Sequence, residues 1–255
     1  MPRPAAPLRS AVWEGEVDGL AFRVVSTPPA APDAPVFALV HGLGTSHRYL
    51  TRLHAELAVR ATVHSIDVPG FGGLPAPKGS PGVADIATAL GALLDRIGVR
   101  DAVLLGHSMG TQWVVELAAE RPDLARAVVL VSPIADRTHR NLPSQGLLLA
   151  VDSALEPPRA GLTVFREYLR SGPRWYLAQA RHMVRYPLEE RVAALTRPVL
   201  VIRGSKDRIA DLRWCAELRD RATDGTLAVI PGHRHLVQFT APATVADGIR
   251  EFLGA

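Results

Sequence analysis

Residues 106–110 read Gly106-His107-Ser108-Met109-Gly110, a serine with a glycine two positions away on either side. The apolar run Ala102-Val103-Leu104-Leu105 precedes it, and a helix-like stretch from Met109 to Glu120 follows. A strand that reverses this tightly into a helix forces its central residue into a strained backbone region and lifts that side chain above the sheet. This setting makes Ser108 a candidate nucleophile; the plainer alternative is a Gly-Ser turn. A serine hydroxyl attacks poorly at neutral pH unless a base accepts its proton, and a histidine suits that work. The base in turn needs a carboxylate to fix its tautomer and stabilise the imidazolium. His233 and His235 near the C-terminus are candidates for the first role, and Asp207, after the apolar run Val199–Ile202, for the second. The His-Arg-His pair could instead bind a metal, but no carboxylate or cysteine stands near it in sequence to complete a site.

The elements that must position these residues alternate. Val12–Val17 and Leu20–Val25 flank Asp18-Gly19, the pairing that signals a β-hairpin. A Pro- and Ala-rich connector then leads to Val36–Val40, an unbroken apolar run typical of a strand buried on both faces of a parallel sheet. Helical spacing of Leu50, Leu53, Leu57 and Val59 precedes a strand over 61–66 that ends at Asp67. The pattern continues with a helix over 83–97, the strand 102–105, the helix from Met109 and a strand over 127–131. It resumes with a strand over 198–202, a helix over 212–221, a strand over 227–230 and a last helix over 241–253. Such alternation predicts an α/β fold, a doubly wound, mostly parallel sheet with helices on both faces. Residues 135–196 interrupt it with no strand-like period and with Pro143, Pro157-Pro158, Pro173 and Pro187 as punctuation, so a helical insert divides a core made of 1–134 and 197–255.

Composition narrows the function classes. A chain of 255 residues with 47% hydrophobic content buries one large core with room for an insert. No apolar run reaches spanning length, and Met1–Ser10, with Pro2, Pro4 and Pro7, lacks the apolar region of a signal peptide, so the expectation is a cytoplasmic protein without a membrane partner. The single cysteine, Cys215, reads as a packed helix residue rather than a reactive thiol. The net charge of +4 carries no basic run on one helix face, which argues against nucleic acid as a partner. The excess has a location: residues 134–197 hold ten Arg and no Lys against six Asp plus Glu, and 10 − 6 = +4.

The motifs in chain order are His41-Gly42-Leu43-Gly44, Asp67-Val68-Pro69-Gly70-Phe71-Gly72, the Ser108 turn, Gly204-Ser205-Lys206-Asp207 and His235. In that order the chain resembles the α/β-hydrolase family over nearly its whole length apart from the N-terminal tail and the insert. The resemblance implies Ser108 as nucleophile, Asp207 rather than Asp136 as the acid, and His235 rather than His233 as the base, counted from Pro231-Gly232. It implies an oxyanion hole made by the backbone N–H groups of Leu43 and Met109, with Gly42 and Gly44 allowing close approach. His41, His107 and the 67–72 turn become supports. Arg234 stands where relatives often carry a small residue, and Thr111 where they often carry a second glycine. The insert becomes a cap, whose apolar residues, among them Leu147, Phe165, Tyr168, Leu169, Trp175 and Met183, mostly bury themselves. The resemblance implies no cofactor and no metal, and a small-molecule substrate as the only partner; it says nothing of oligomeric state. The expected activity is hydrolysis of a small to medium, largely apolar ester or related acyl compound through an acyl-enzyme. Alternatives on the same residues are a C–C bond hydrolase, lactonase, thioesterase or perhydrolase, and, from another class, a ligand sensor that keeps the triad.

Overall fold

A computed structural model describes residues 10–28, 31, 33–137, 140–156, 162, 166–168 and 170–254. The N-terminal tail, Pro157-Pro158, Phe165 and Leu169 lie outside the described residues. The hairpin forms as its turn chemistry requires: β1 (Ala11–Val17) pairs antiparallel with β2 (Leu20–Thr27). Asp18 and Gly19 between them both have positive φ, 52° and 76°, the backbone of the tight turn that matches strand twist.

The parallel strands follow: β3 (Val36–Val40), β4 (Thr62–Asp67), β5 (Ala102–His107), β6 (Ala125–Val131), β7 (Val199–Gly204) and β8 (Gly225–Ile230). They lie in one eight-stranded sheet of order β1-β2-β4-β3-β5-β6-β7-β8, parallel from β4 onward. Side-chain alternation explains the double covering. Ala38, Val40, Leu104, Val128, Leu130 and Val201 point to one core, and Phe37, Leu39, Leu105, Val129, Leu200 and Ile202 to the other. Helices α1 (His47–Ala58), α2 (Val83–Arg96) and α3 (Gly110–Glu120) connect the first parallel strands.

The segment between β6 and β7 is helical. It holds α4 (Leu142–Leu155), α5 (Pro173–Met183) and α6 (Leu188–Ala193). The prolines open these helices instead of breaking them: Pro143 and Pro173 sit in first turns, where no N–H is needed, and Pro187 caps α6. Trp175 Nε1 donates to Pro69 O at 3.0 Å and Gln112 Nε2 donates to Met183 O at 2.9 Å, so α5 is tied to the core from two sides. The chain ends with α7 (Leu212–Arg221), the short α8 (Val237–Thr240) and α9 (Pro242–Leu253). Among the described residues no helix is long and apolar enough to cross a membrane.

Several boundaries differ from the sequence reading. β5 runs on through Gly106 and His107, and β7 through Arg203 and Gly204, because ladder hydrogen bonds belong to the backbone and do not require apolar side chains. The last helix starts at Pro242, one residue later than the sequence suggests, and an unexpected one-turn helix over 237–240 precedes it: Ala241 N–H still bonds to Val237 O, but Pro242 has no N–H to continue that ladder and starts a new helix. Cys215 is buried in α7, and burial pushes its thiol pKa up, as suits a packing residue.

Candidate active site

The strand order reverses at β3, which has β4 on one side and β5 on the other. In open α/β sheets the crevice outside the carboxyl ends of the strands at such a point receives ligands. Val40 and Gly106 are partners in the β3–β5 ladder, so the loops after β3 and β5 leave the sheet side by side.

Ser108 follows β5 directly. Its φ of 55° is in the left-handed region, which a non-glycine residue adopts only under constraint. The constraint is the fit of the turn. A Cβ on Gly106 would lie 2.3 Å from Gly110 O, and one on Gly110 2.4 Å from Val40 O. Ser108 N–H donates to Val131 O at 3.0 Å, and the Thr111 hydroxyl donates to Ser108 O at 2.6 Å. Thr111, at the position often glycine, thus ties the turn together.

His235 Nε2 lies 3.1 Å from Ser108 Oγ, and His235 Nδ1 lies 3.1 Å from Asp207 Oδ2. Asp207 Oδ1 accepts the N–H groups of Ile209 and Ala210, both at 2.9 Å, so the carboxylate has a fixed orientation. Arg203, buried in β7, donates to the carbonyls of Asp207 and Ala210 at 2.7 Å and closes that loop from below. Burial alone would raise the Asp207 carboxyl, but the charge and hydrogen bond of His235 and the Ala210 amide outweigh it and hold the pKa below the usual range. Burial alone would lower His235; the Asp207 charge and hydrogen bond, followed by Asp152 and Glu156, outweigh it, and its pKa is raised.

The rivals are placed elsewhere. His233 Nδ1 is 2.9 Å from the Thr240 hydroxyl, and Asp136 forms an ion pair with Arg213 at 3.0 Å. The N-cap of α7 is Asp211, whose side chain accepts Trp214 N–H, which leaves Asp207 to its histidine.

Two further histidines hold the framework. His41 Nε2 accepts Val68 N–H at 3.1 Å, so Nδ1 carries the proton toward Gly42 O at 2.7 Å. His107 Nε2 donates to His235 O at 2.9 Å, so its Nδ1 accepts the Tyr49 hydroxyl at 2.6 Å, and Tyr49 accepts Gly42 N–H at 2.8 Å. Burial, reinforced by the neighbouring His235, takes the His107 pKa down to about 3, so the ring stays neutral. Tyr49 carries no local sequence signal, because its partner His107 stands 58 residues away; Arg203 acts on carbonyls only four and seven residues on, but a buried arginine at the end of an apolar strand has no motif of its own.

Met109 directly follows Ser108, and Leu43 follows Gly42 in the loop after β3, where a Cβ on Gly42 would lie 2.9 Å from Ser108 Cβ. Among the described residues neither of their amides donates a hydrogen bond. Two backbone donors beside a nucleophile can stabilise an oxyanion without reorganising.

Above Ser108 lies a cavity of about 130 Å³. Its walls include Ile134, Leu142, Leu149, Met183, Ile209 and Leu236, with Tyr168 and Tyr176 from the insert. The charged side chains among its described lining residues are Asp152 and Glu156, besides the histidines. No arginine is among the described lining residues, and three of the insert's arginines engage acids elsewhere: Arg191 with Glu116 at 2.7 Å, Arg170 with Glu167 at 2.5 Å, Arg140 with Glu189.

The model of the alpha/beta hydrolase family matches residues 37–248. The chain is 24% identical over 253 residues to a 2-(acetamidomethylene)succinate hydrolase of Mesorhizobium japonicum, spanning 87% of this chain and 88% of that one. It is 27% identical over 278 residues to a magnesium-chelatase 30 kDa subunit of Rhodobacter capsulatus, 95% and 93% of the two chains. The fold matches a thermophilic esterase of Thermogutta terrifontis with a TM-score of 0.81 at 21% identity, covering 96% of this chain and 98% of the other. The matched region runs from β3 into the last helix and contains every residue that meets Ser108, and the chain belongs to the alpha/beta hydrolase family.

Proposed function

We propose that the protein is a serine hydrolase that cleaves a small to medium, largely apolar ester or related acyl compound through an acyl-enzyme. The observation that supports this most is the chain of two contacts, Ser108 Oγ to His235 Nε2 and His235 Nδ1 to Asp207 Oδ2, both 3.1 Å, at the floor of a cavity. In this reading Ser108 Oγ attacks the carbonyl carbon while His235 Nε2 takes its proton, and Asp207 stabilises the imidazolium. The Leu43 and Met109 amides stabilise the oxyanion. His235 returns the proton to the departing alkoxide, the alcohol leaves, and a water activated by the same imidazole releases the acid and restores Ser108.

The helices between β6 and β7, within residues 135–196, act as a cap that selects substrate. An apolar wall makes an unpaired charge costly there, and Asp152 and Glu156 repel anions in particular. A succinate, the substrate class of the Mesorhizobium japonicum relative, would meet both carboxylates, so a neutral acyl compound fits better. A panel of esters, lactones and thioesters, run on the protein and on Ser108→Ala, tests the reading and separates it from the lactonase and thioesterase alternatives. Turnover of neutral esters should exceed that of carboxylate-bearing analogues of matched size. A strong preference for the anionic series would overturn the pocket assignment.

A sensor that retains the triad is favoured by one observation: Leu147, Leu155, Leu162 and Leu177 of the insert region are exposed and offer apolar surface to a partner. Repeated rapid turnover decides against it; a single slow turnover with retained product decides for it.

A further inference from the structure

The loop that carries His235 is held from above by two acids of the insert. Asp152 lies in the last turn of α4 and Glu156 caps that helix, four residues on, a spacing that puts both on one face. Asp152 Oδ2 accepts His235 N–H at 3.3 Å, and Glu156 Oε1 accepts Leu236 N–H at 2.8 Å. The two side chains are only 1% and 8% exposed, and both carboxyls are raised, first by burial. Burying two acids near a third, Asp207, is unfavourable unless each finds donors or a positive charge nearby. A neutral amide side chain would accept the same N–H groups without that cost, so the placement of charge at this point calls for a reason. The reason on hand is the nearby His235 imidazole, whose charged form all three acids favour.

We propose that Asp152 and Glu156 are positioning residues for His235, clamping its loop through two consecutive backbone amides and favouring, by their charge, the imidazolium that forms during reaction. The proposal rests on the reading of Ser108, His235 and Asp207 as a triad. The groups that face His235 are Asp207 from the loop after β7, Asp152 and Glu156 from α4, and His107 from β5. Arg234 beside it extends its Nη1 to within 3.9 Å of Asp152 Oδ1, so the arginine that departs from the family pattern meets the clamp. With His107 Nε2 on its carbonyl, the His235 peptide is fixed at both N–H and C=O. The seating of the insert and the position of the base become one arrangement.

The test uses two double variants. Asp152→Asn with Glu156→Gln keeps an acceptor oxygen on each side chain and removes the charge; Asp152→Ala with Glu156→Ala removes both. In the Ser108→Ala background, nuclear magnetic resonance titration of the His235 imidazole and hydrogen exchange of the amides at 235 and 236 read the clamp without any need for turnover. The Asn/Gln variant should lower the imidazole midpoint by about half a pH unit while the two amides exchange nearly as before. The Ala variant should lower it similarly and speed exchange at both amides at least about tenfold. With Ser108 restored, the Ala variant should lose about tenfold in kcat with KM nearly unchanged. An unmoved titration in the Asn/Gln variant, or unmoved exchange in the Ala variant, overturns the proposal. If the double alanine variant does not fold, Glu156→Ala alone is read at Leu236. Failure of the triad reading looks different, because Ser108→Ala would then retain hydrolysis whatever the clamp does.

Discussion

The Ser108 turn and the His235 loop deliver two side chains to within 3.1 Å of each other, yet they are held in opposite ways. The turn is held by the fit of its own backbone: glycine at 106 and 110, a bond to the adjacent strand and a threonine hydroxyl one residue beyond Gly110. The loop is held by side chains from elsewhere: Asp207 on the ring, His107 on the carbonyl, Asp152 and Glu156 on successive amides. A site fixed by close packing fails when atoms are added, and one fixed by remote partners fails when atoms are removed. Substitutions of the two kinds should therefore separate the regions.

The largest effect concerns the atom both regions serve. Ser108→Ala removes the proposed nucleophile without adding bulk, and should reduce kcat on a chromogenic ester on the order of a millionfold with an unchanged circular dichroism spectrum. Activity within tenfold of the parent would end the assignment.

Next come the loop's reacting groups. His235→Ala should approach the Ser108→Ala loss, whereas His233→Ala, whose ring faces Thr240, should not. Asp207→Asn should cost about ten-thousandfold because an amide cannot hold the imidazole in the same tautomer, while Asp136→Asn mainly weakens the ion pair with Arg213. Since the carboxylates around His235 outweigh burial and raise its pKa, the acidic limb of kcat/KM should fall at a midpoint above 6.5, the ordinary imidazole value. A midpoint below it would mean that burial wins and that the base is less basic than its neighbours suggest.

The turn should break under one methyl group. Gly110→Ala places a Cβ 2.4 Å from Val40 O and 2.6 Å from His41 O, backbone atoms that cannot swing aside. Its expected cost is about 1–3 kcal/mol of stability, a Tm loss of several degrees, and about a hundredfold in kcat/KM as Ser108 shifts. Gly248 in α9 supplies the control, because a Cβ there meets nothing within 4 Å. Gly248→Ala should raise Tm slightly, by relieving the entropic cost of a helical glycine. Equal tolerance of both substitutions would refute the packing account of the turn.

The same contrast governs what can be read from the chain. The turn and the alternating strands are legible because their causes are local: glycine spacing at 106 and 110, and the unbroken apolar run of Val36–Val40. The meeting of Ser108, Asp207 and His235 is legible through the order and spacing of motifs. Tyr49, Asp152 and Glu156 are not, because no pattern in their own neighbourhoods reports partners 58 to 83 residues away that become close only on folding. The insert is the extreme case. Its apolar residues look alike in sequence, yet Trp175 and Met183 are buried on the core whereas Leu147 and Leu177 are exposed, and only the angle at which each helix docks decides between them.

The smallest expected effect joins the two regions. The Tyr49 hydroxyl accepts Gly42 N–H from the loop after β3 and donates to His107 Nδ1, while the opposite nitrogen of that ring holds the His235 carbonyl. Tyr49→Phe removes one oxygen and leaves two buried polar groups without that partner, at a cost of about 2 kcal/mol and a Tm loss of roughly 5 °C. It keeps the ring that packs between α1 and the sheet, so the fold should survive. Gly42 adjoins the Leu43 amide and His107 adjoins Ser108, so small displacements reach both the proposed oxyanion donors and the proposed base. The expected kinetic result is about a tenfold fall in kcat with KM changed less than about twofold, since the loss falls on the transition state rather than on ground-state binding. A rise in KM alone would reduce Tyr49 to a wall of the cavity, and the turn and the loop would then be independent after all.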